Sequence, residues 1–167
     1  MAADLPAQVQ GLLGQPCFAQ VSDGLVEAGA IRLFAAAVQD GTAEYWSEDP
    51  AEVCAPPAML SAWNRPLMWR PGEGGSATGL ALHFLLKEQL GLPLAVVTAT
   101  ETELAQPLRP GARVQSEQVL LSVSEPKTNR LGTGRYWTIR VDYRCAATGA
   151  LFGHETMSFF GYVGDSA

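Results

Sequence analysis

From Trp137 to Cys145 the chain alternates without a break: Trp137, Ile139, Val141, Tyr143 and Cys145 are apolar, and Thr138, Arg140, Asp142 and Arg144 between them are polar. A period of two puts successive side chains on opposite faces, so the segment predicts a strand with one face buried and the other wet. Similar segments run over about 95–104, 113–123 and 151–162, separated by turn clusters at Pro107–Gly111, Glu125–Gly134 and Ala147–Gly149. Ahead of them the period is helical. Ile31, Phe34, Ala35 and Val38 stand at i, i+3, i+4 and i+7, predicting a short amphipathic helix stopped by Asp40-Gly41. A second helix is predicted over 77–90, capped by Ser76 after Gly74-Gly75 and ended by Gly91-Leu92-Pro93. Leu80, Ala81, Phe84, Leu85 and Leu86 make it apolar on more than one face, so it must be surrounded. One such helix followed by an antiparallel meander is an α+β layout, an antiparallel sheet wrapped around a central helix. Between the helices, Thr42 to Gly75 reads as one long irregular stretch holding three of the four Trp, and loops of that kind serve function or cover a partner.

Charge narrows the function. The net charge is -6 and the 11 Lys+Arg are scattered singly, leaving no basic stripe for a phosphate backbone, so nucleic acid is excluded as a partner. The start, Met1-Ala2-Ala3-Asp4-Leu5-Pro6, lacks a positive segment followed by an apolar run, and no stretch of ~18 apolar residues occurs. The expectation is a cytoplasmic protein with no membrane contact. Cys17, Cys54 and Cys145 show no metal or redox spacing and read as ordinary thiols. His83 and His154 stand alone, without a partner at recognisable spacing, so neither a metal site nor a Ser/His arrangement is predicted.

Five strings in order carry a family resemblance. Phe34-Ala35-Ala36-Ala37-Val38-Gln39-Asp40-Gly41-Thr42-Ala43-Glu44-Tyr45-Trp46 resembles the helix-to-loop signature of MaoC-like hydratases. Ala55-Pro56-Pro57-Ala58-Met59-Leu60, Thr100-Glu101-Thr102-Glu103, Pro107-Leu108-Arg109-Pro110-Gly111 and Lys127-Thr128-Asn129-Arg130-Leu131-Gly132-Thr133-Gly134 resemble later landmarks of the family's FAS1-type dehydratase N-terminal half. The resemblance spans about Gly24 to Tyr162 and implies one hot-dog domain over 1–167 with its core at about 24–163.

Catalytic members of that family use an Asp and, five residues later, a His to activate the water that adds to an enoyl-CoA, and such chemistry needs two proton-transfer groups on one water. Here Asp40 holds the first position but Tyr45 the second, with Thr42 and Ala43 where Asn and Pro are usual. A phenol with a reference pKa of ~10 is a poor base at neutral pH, so no catalytic residue is assigned to this chain. The implied enzyme is an enoyl-CoA hydratase, a lyase, in which a homologous hot-dog subunit supplies the Asp and His and this chain supplies pocket. It needs no cofactor and no metal, because the CoA thioester is itself the substrate.

Asp40, Tyr45, Trp46, Pro56, Met59, Trp63, Met68 and Trp69 are the expected substrate-binding residues, the last four on a loop whose Met and Trp suit an adaptable apolar wall. The same string from Ala55 to Trp63 resembles the larger subunit of hydratases acting on steroid side-chain enoyl-CoA esters. Lys127, Asn129, Arg130 and Gly132 form the one basic, glycine-flexible loop, the expected contact for CoA phosphates. Two other readings stay open: a non-catalytic acyl-binding homodimer, and a hot-dog thioesterase in which Asp40 or Glu44 activates water.

Overall fold

The computed structural model describes residues 5–72 and 79–164. Six antiparallel strands form one sheet: β1 (Pro16–Val21), β2 (Leu94–Leu104), β3 (Val114–Val123), β4 (Lys127–Asn129), β5 (Gly132–Cys145) and β6 (Leu151–Val163), in the order β1-β3-β5-β6-β2, with β4 paired to β5 off this path. The alternation of 137–145 becomes the register. Trp137 opposes Phe159, Ile139 opposes Met157 and Val141 opposes Glu155, all on the inner face. Val114, Leu120, Trp137 and Ile139 are fully buried there. Gly161 has no side chain because the Trp137 ring fills the space: a Cβ on it would lie 2.1 Å from that ring.

The helices are α1 (Ala7–Leu12), α2 (Ala28–Val38), α3 (Ala43–Trp46) and α4 (Ala81–Gln89), with a 3-10 helix at Pro57–Asn64. α4 is the central helix of the hot-dog arrangement. Its N-cap, Leu80, has no side chain to offer, and the Leu82 N–H is satisfied instead by buried Gln118 Oε1 on β3 at 2.9 Å. At its other end Gly91 takes a left-handed φ of +64° and Leu92 N donates to Lys87 O at 2.9 Å, ending the helix where Gly91-Leu92-Pro93 predicts. The expected Ser76 cap lies outside the described residues.

Three expectations change. The sheet covers α4 on its Leu82 and Leu86 side, but Phe84 is 50% exposed, so one chain does not surround the helix. α2 ends at Val38, one residue before the expected stop at Asp40-Gly41, because Gln39 itself adopts the left-handed conformation and Asp40 N reaches back to Ala35 O at 2.8 Å. The packed unit also extends below residue 24. β1 pairs with β3, and Val9 of α1 is fully buried. β1 escapes a period-two reading because it is bulged between Cys17 and Gln20, with Phe18 at φ +52°.

Candidate functional site

The Asp40–Trp46 turn is a closed local unit. Asp40 Oδ1 accepts from Thr42 N at 3.0 Å and Thr42 Oγ1 at 2.7 Å, and these bonds hold the carboxyl below its usual range. Its backbone oxygen accepts from Trp46 Nε1 at 2.8 Å. A carboxylate occupied in this way terminates a helix and shapes a turn. Tyr45 is buried, and its hydroxyl interacts with Thr42 of the same turn. Desolvation first, then the charges of Asp40, Cys54 and Glu44, raise its pKa, so the phenol stays protonated at neutral pH. It faces a hollow of about 280 Å³ shared with Cys54, Pro57, Leu104 and Pro107. Trp46 borders a different, shallow depression with Glu44, Glu52 and Arg109. Arg109, from the predicted turn cluster, fixes this whole region by donating to the carbonyls of Ala51 and Val53.

The predicted apolar wall divides. Pro56 and Met59 are buried, Met59 within the chain's own core, and Trp63 packs half-buried against that core. Met68 and Trp69 stand at the surface, Trp69 being 69% exposed. The stretch from 42 to 75 is not uniformly irregular, since α3 and the 3-10 helix lie in it. Met59→Ala is expected to cost about 2–5 kcal/mol of stability by leaving a cavity. Trp69→Ala should stay within about 0.5 kcal/mol, having no packing to lose. Chemical denaturation of the two variants separates the inward and outward halves of the segment.

The basic loop forms a hairpin, Lys127 opposite Gly134 and Asn129 opposite Gly132. Lys127 and Arg130 are exposed. Asn129 Oδ1 accepts from Leu131 N at 2.8 Å, an Asx turn, and a Cβ on Gly132 would lie 2.1 Å from Val163 O. The glycine is there so that the hairpin can lie on the end of β6. This hairpin and Tyr45 occupy opposite ends of the sheet: Leu104 beside Tyr45 pairs with Gly153, whereas Gly134 pairs with Tyr162, and from Gly153 to Tyr162 a strand rises roughly 30 Å. Within one chain the two expected subsites are not adjacent.

Neither histidine faces Tyr45. His154 lies on the outer face with Nε2 3.5 Å from Glu103 Oε2. His83 packs among Phe84, Trp137 and Phe159, its Nδ1 buried without a partner. Burial first, and then Lys87, lowers its pKa, so the folded state prefers neutral His83. The folded pKa lies below the unfolded value of 6.5, so the stability tied to neutral His83 is full above that pH and declines as pH falls beneath it. His83→Gln should flatten the loss of stability between about pH 7 and 5. Urea midpoints that fall equally in both proteins would refute this.

A second cavity, of about 240 Å³, was not visible in the sequence. It opens between the 3-10 helix, the start of α4 and the inner sheet face, and Ser61, Asn64, Arg65, Ser116, Tyr143 and Glu155 supply its polar lining. Asn64 is only 6% exposed. Its Nδ2 donates to Ser116 Oγ and its backbone oxygen accepts from Gln20 Nε2 at 3.0 Å, yet Oδ1 has no partner. A buried unpaired amide atom costs about 1–3 kcal/mol, so it calls for an explanation. The Tyr143 hydroxyl interacts with Glu155 and Ser61, and burial foremost drives its pKa far above the usual value, so it remains a neutral phenol. The signal available beforehand was Glu155 in a strand otherwise rich in apolar residues; the convergence on it of residues 61–65, 116 and 143 was not.

The family model described as FAS1-like, dehydratase domain region matches residues 12–147, most of the chain. The chain belongs to this dehydratase family. It is a MaoC-like hot-dog protein, and the solved structures it resembles have that fold. A chain of the ChsH1-ChsH2 complex from Mycobacterium tuberculosis superposes with a TM-score of 0.73 at 21% identity, over 96% of this chain and 90% of that one. A chain of the HadBC (3R-hydroxyacyl-ACP dehydratase) complex from the same organism gives 0.55 at 16% identity, over 89% and 97%. The (R)-hydratase from A. caviae involved in PHA biosynthesis gives 0.52 at 17%, over 88% and 94%. No curated protein sequence matches the chain. In this dehydratase-family chain no described histidine shares a site with Asp40, and among the described residues no three His, Cys, Asp or Glu side chains gather as a metal site. No helix among those residues is long and apolar enough to cross a membrane.

Proposed function

We propose that this chain is the non-catalytic half of a heteromeric MaoC-like enoyl-CoA hydratase, acting in the cytoplasm on a bulky acyl-CoA, with a steroid side-chain ester as one candidate. A homologous hot-dog subunit carries the Asp and His that activate water. The observation that carries this reading is the Asp40–Tyr45 turn, where the carboxylate is committed to Thr42 and the residue in the histidine position is a buried phenol of raised pKa. Two proton-transfer groups on one water cannot be drawn from it.

The surroundings of the turn favour a partner. Tyr45's hollow ends against Leu104, at one end of β2, and β2 is an edge strand of 11 residues with Leu94, Val96, Val97 and Leu104 all exposed. An open strand edge can pair with another chain, and the exposed Leu94, Val96, Val97 and Leu104 offer such a chain apolar surface towards the two ends of β2. Half-exposed Phe84 asks for cover as well. Two of the similar structures are two-component complexes, which supports a hot-dog partner here. Lys127 and Arg130 are the cations offered to CoA phosphates, and the length of sheet between them and Tyr45 means that a CoA held there would serve a site completed by the partner. No cofactor beyond the CoA of the substrate is required.

The test is co-expression with a hot-dog protein bearing the intact Asp-to-His motif, followed by sedimentation and an enoyl-CoA hydration assay. A stable mixed complex that hydrates enoyl-CoA supports the reading. A chain that stays a 17.8 kDa monomer at micromolar concentration beside every such partner refutes it.

A further inference from the structure

We propose that Glu155 and Arg65, which share the polar cavity beside the 3-10 helix, move the double bond of a β,γ-enoyl thioester into conjugation, with Glu155 as the base and Arg65 as the cation that holds the enolate. This rests on the proposal that the chain binds acyl-CoA. It goes further by giving the chain a reaction of its own, one that supplies the α,β-enoyl substrate of the hydration.

Two opposite charges line this cavity without pairing. Neither Arg65 nor Glu155 belongs to an ion pair among the described residues, although both border the same space of about 240 Å³. Both are within reach of a ligand there, Arg65 being exposed and Glu155 half-buried. Glu155 also breaks the pattern of the sheet. It is the one carboxylate on the inner face of the described strands, opposite Val141 of β5 and Thr102 of β2, and so lies toward the edge offered to the partner. A charge kept on an apolar face without a counter-ion costs stability, which fits a group kept for chemistry.

The carboxylate is also held in place. The Tyr143 hydroxyl interacts with Glu155 and with Ser61, and burial keeps the phenol neutral and therefore a donor. A carboxylate accepts at about four positions, so one such bond orients it and leaves lone pairs for a substrate. Val141, Met157 and Leu80 complete the wall with apolar surface for a carbon chain. The volume exceeds the ~150 Å³ of a cavity that accepts a benzene ring, so a six-carbon acyl segment fits.

A base beside a carbon acid, with a cation where the oxygen becomes negative, is what enolisation requires. Glu155 takes a proton from Cα, and the electron pair of that C–H bond moves onto the thioester oxygen beside Arg65. The carboxylic acid so formed returns the proton to Cγ. The double bond passes from Cβ–Cγ to Cα–Cβ, the carboxylate is regenerated, and no co-reactant is consumed.

The experiment follows trans-3-hexenoyl-CoA by proton NMR in the reconstituted complex. Wild type is expected to convert it to 2-hexenoyl-CoA and, through hydration, to 3-hydroxyhexanoyl-CoA. Glu155→Gln, which still accepts from Tyr143, should slow the shift about 10²–10⁴-fold, and Arg65→Gln about 10²-fold. Tyr143→Phe, which frees the carboxylate to swing, should lower kcat for the shift and leave KM within about twofold. Conversion no faster than without protein would overturn the inference, as would a rate that survives Glu155→Gln. Arg65→Gln, at an exposed position, decides the assignment should Glu155→Gln not fold, and an undiminished rate there also overturns it. The same sample is given 2-hexenoyl-CoA: if that is hydrated while 3-hexenoyl-CoA persists, only this inference fails, and if neither reacts, the acyl-CoA reading fails and this inference with it.

Discussion

Purified alone, the chain is expected to hydrate crotonyl-CoA about 10²–10⁴-fold more slowly than the proposed complex with a His-bearing hot-dog subunit, the usual cost of losing one general acid or base. The physical reason is local. A water on the Asp40–Tyr45 turn would meet a carboxylate already bonded to the Thr42 N–H and hydroxyl, and a phenol made less acidic by burial. The carboxylate is weakened as a base by its lowered pKa and the phenol stays protonated, so the turn offers no matched acid and base. In the complex, therefore, Asp40→Asn and Tyr45→Phe should each change kcat by less than about twofold, whereas replacing the partner's histidine should remove activity. Asp40→Asn keeps an oxygen for the Thr42 bonds, so the turn survives and the kinetics report chemistry rather than folding. Full turnover by the isolated chain, or a loss of 10²-fold with Asp40→Asn, would place the catalytic centre in this chain after all.

Gly134→Ala should be the most damaging small substitution, costing about 3 kcal/mol or more. A Cβ at Gly134 would lie 1.9 Å from Gly161 O and 2.7 Å from Tyr162 Cα, both backbone atoms of the paired strand β6. No rotamer relieves such a contact. Either the β5–β6 register opens at this end or the hairpin swings away from the sheet, and both give up ladder hydrogen bonds. Gly29→Ala is the control. It lies in α2 with nothing within 4 Å of its added Cβ, and there Ala should stabilise by about 0.4–1 kcal/mol through helix propensity and a less free unfolded chain. Thermal or urea unfolding of the two variants in opposite directions confirms the assignment; near-equal midpoints refute it.

What the sequence determined by itself are the features set by local period and local stop signals. The alternation of Trp137 to Cys145 settles the central strand and its inner face, because a period of two has one geometric meaning. The helix at Ala81–Gln89 ends where Gly91-Leu92-Pro93 says it must. Short or bulged pieces were out of reach. β1, with Phe18 at positive φ, has too few regular positions to show a period, and the 3-10 helix at Pro57–Asn64 hides in a proline-rich run. Only the tertiary structure decided which apolar residues of 56–69 turn inward, since a composition rich in Met and Trp suits core and contact surface alike. It alone set Lys127 and Arg130 at the far end of the sheet from Tyr45. It alone brought Asn64 to Ser116, 52 positions away in the chain, and gathered Tyr143 and Glu155 around the same cavity. Contacts at such separation follow from strand order and register, which no local pattern encodes.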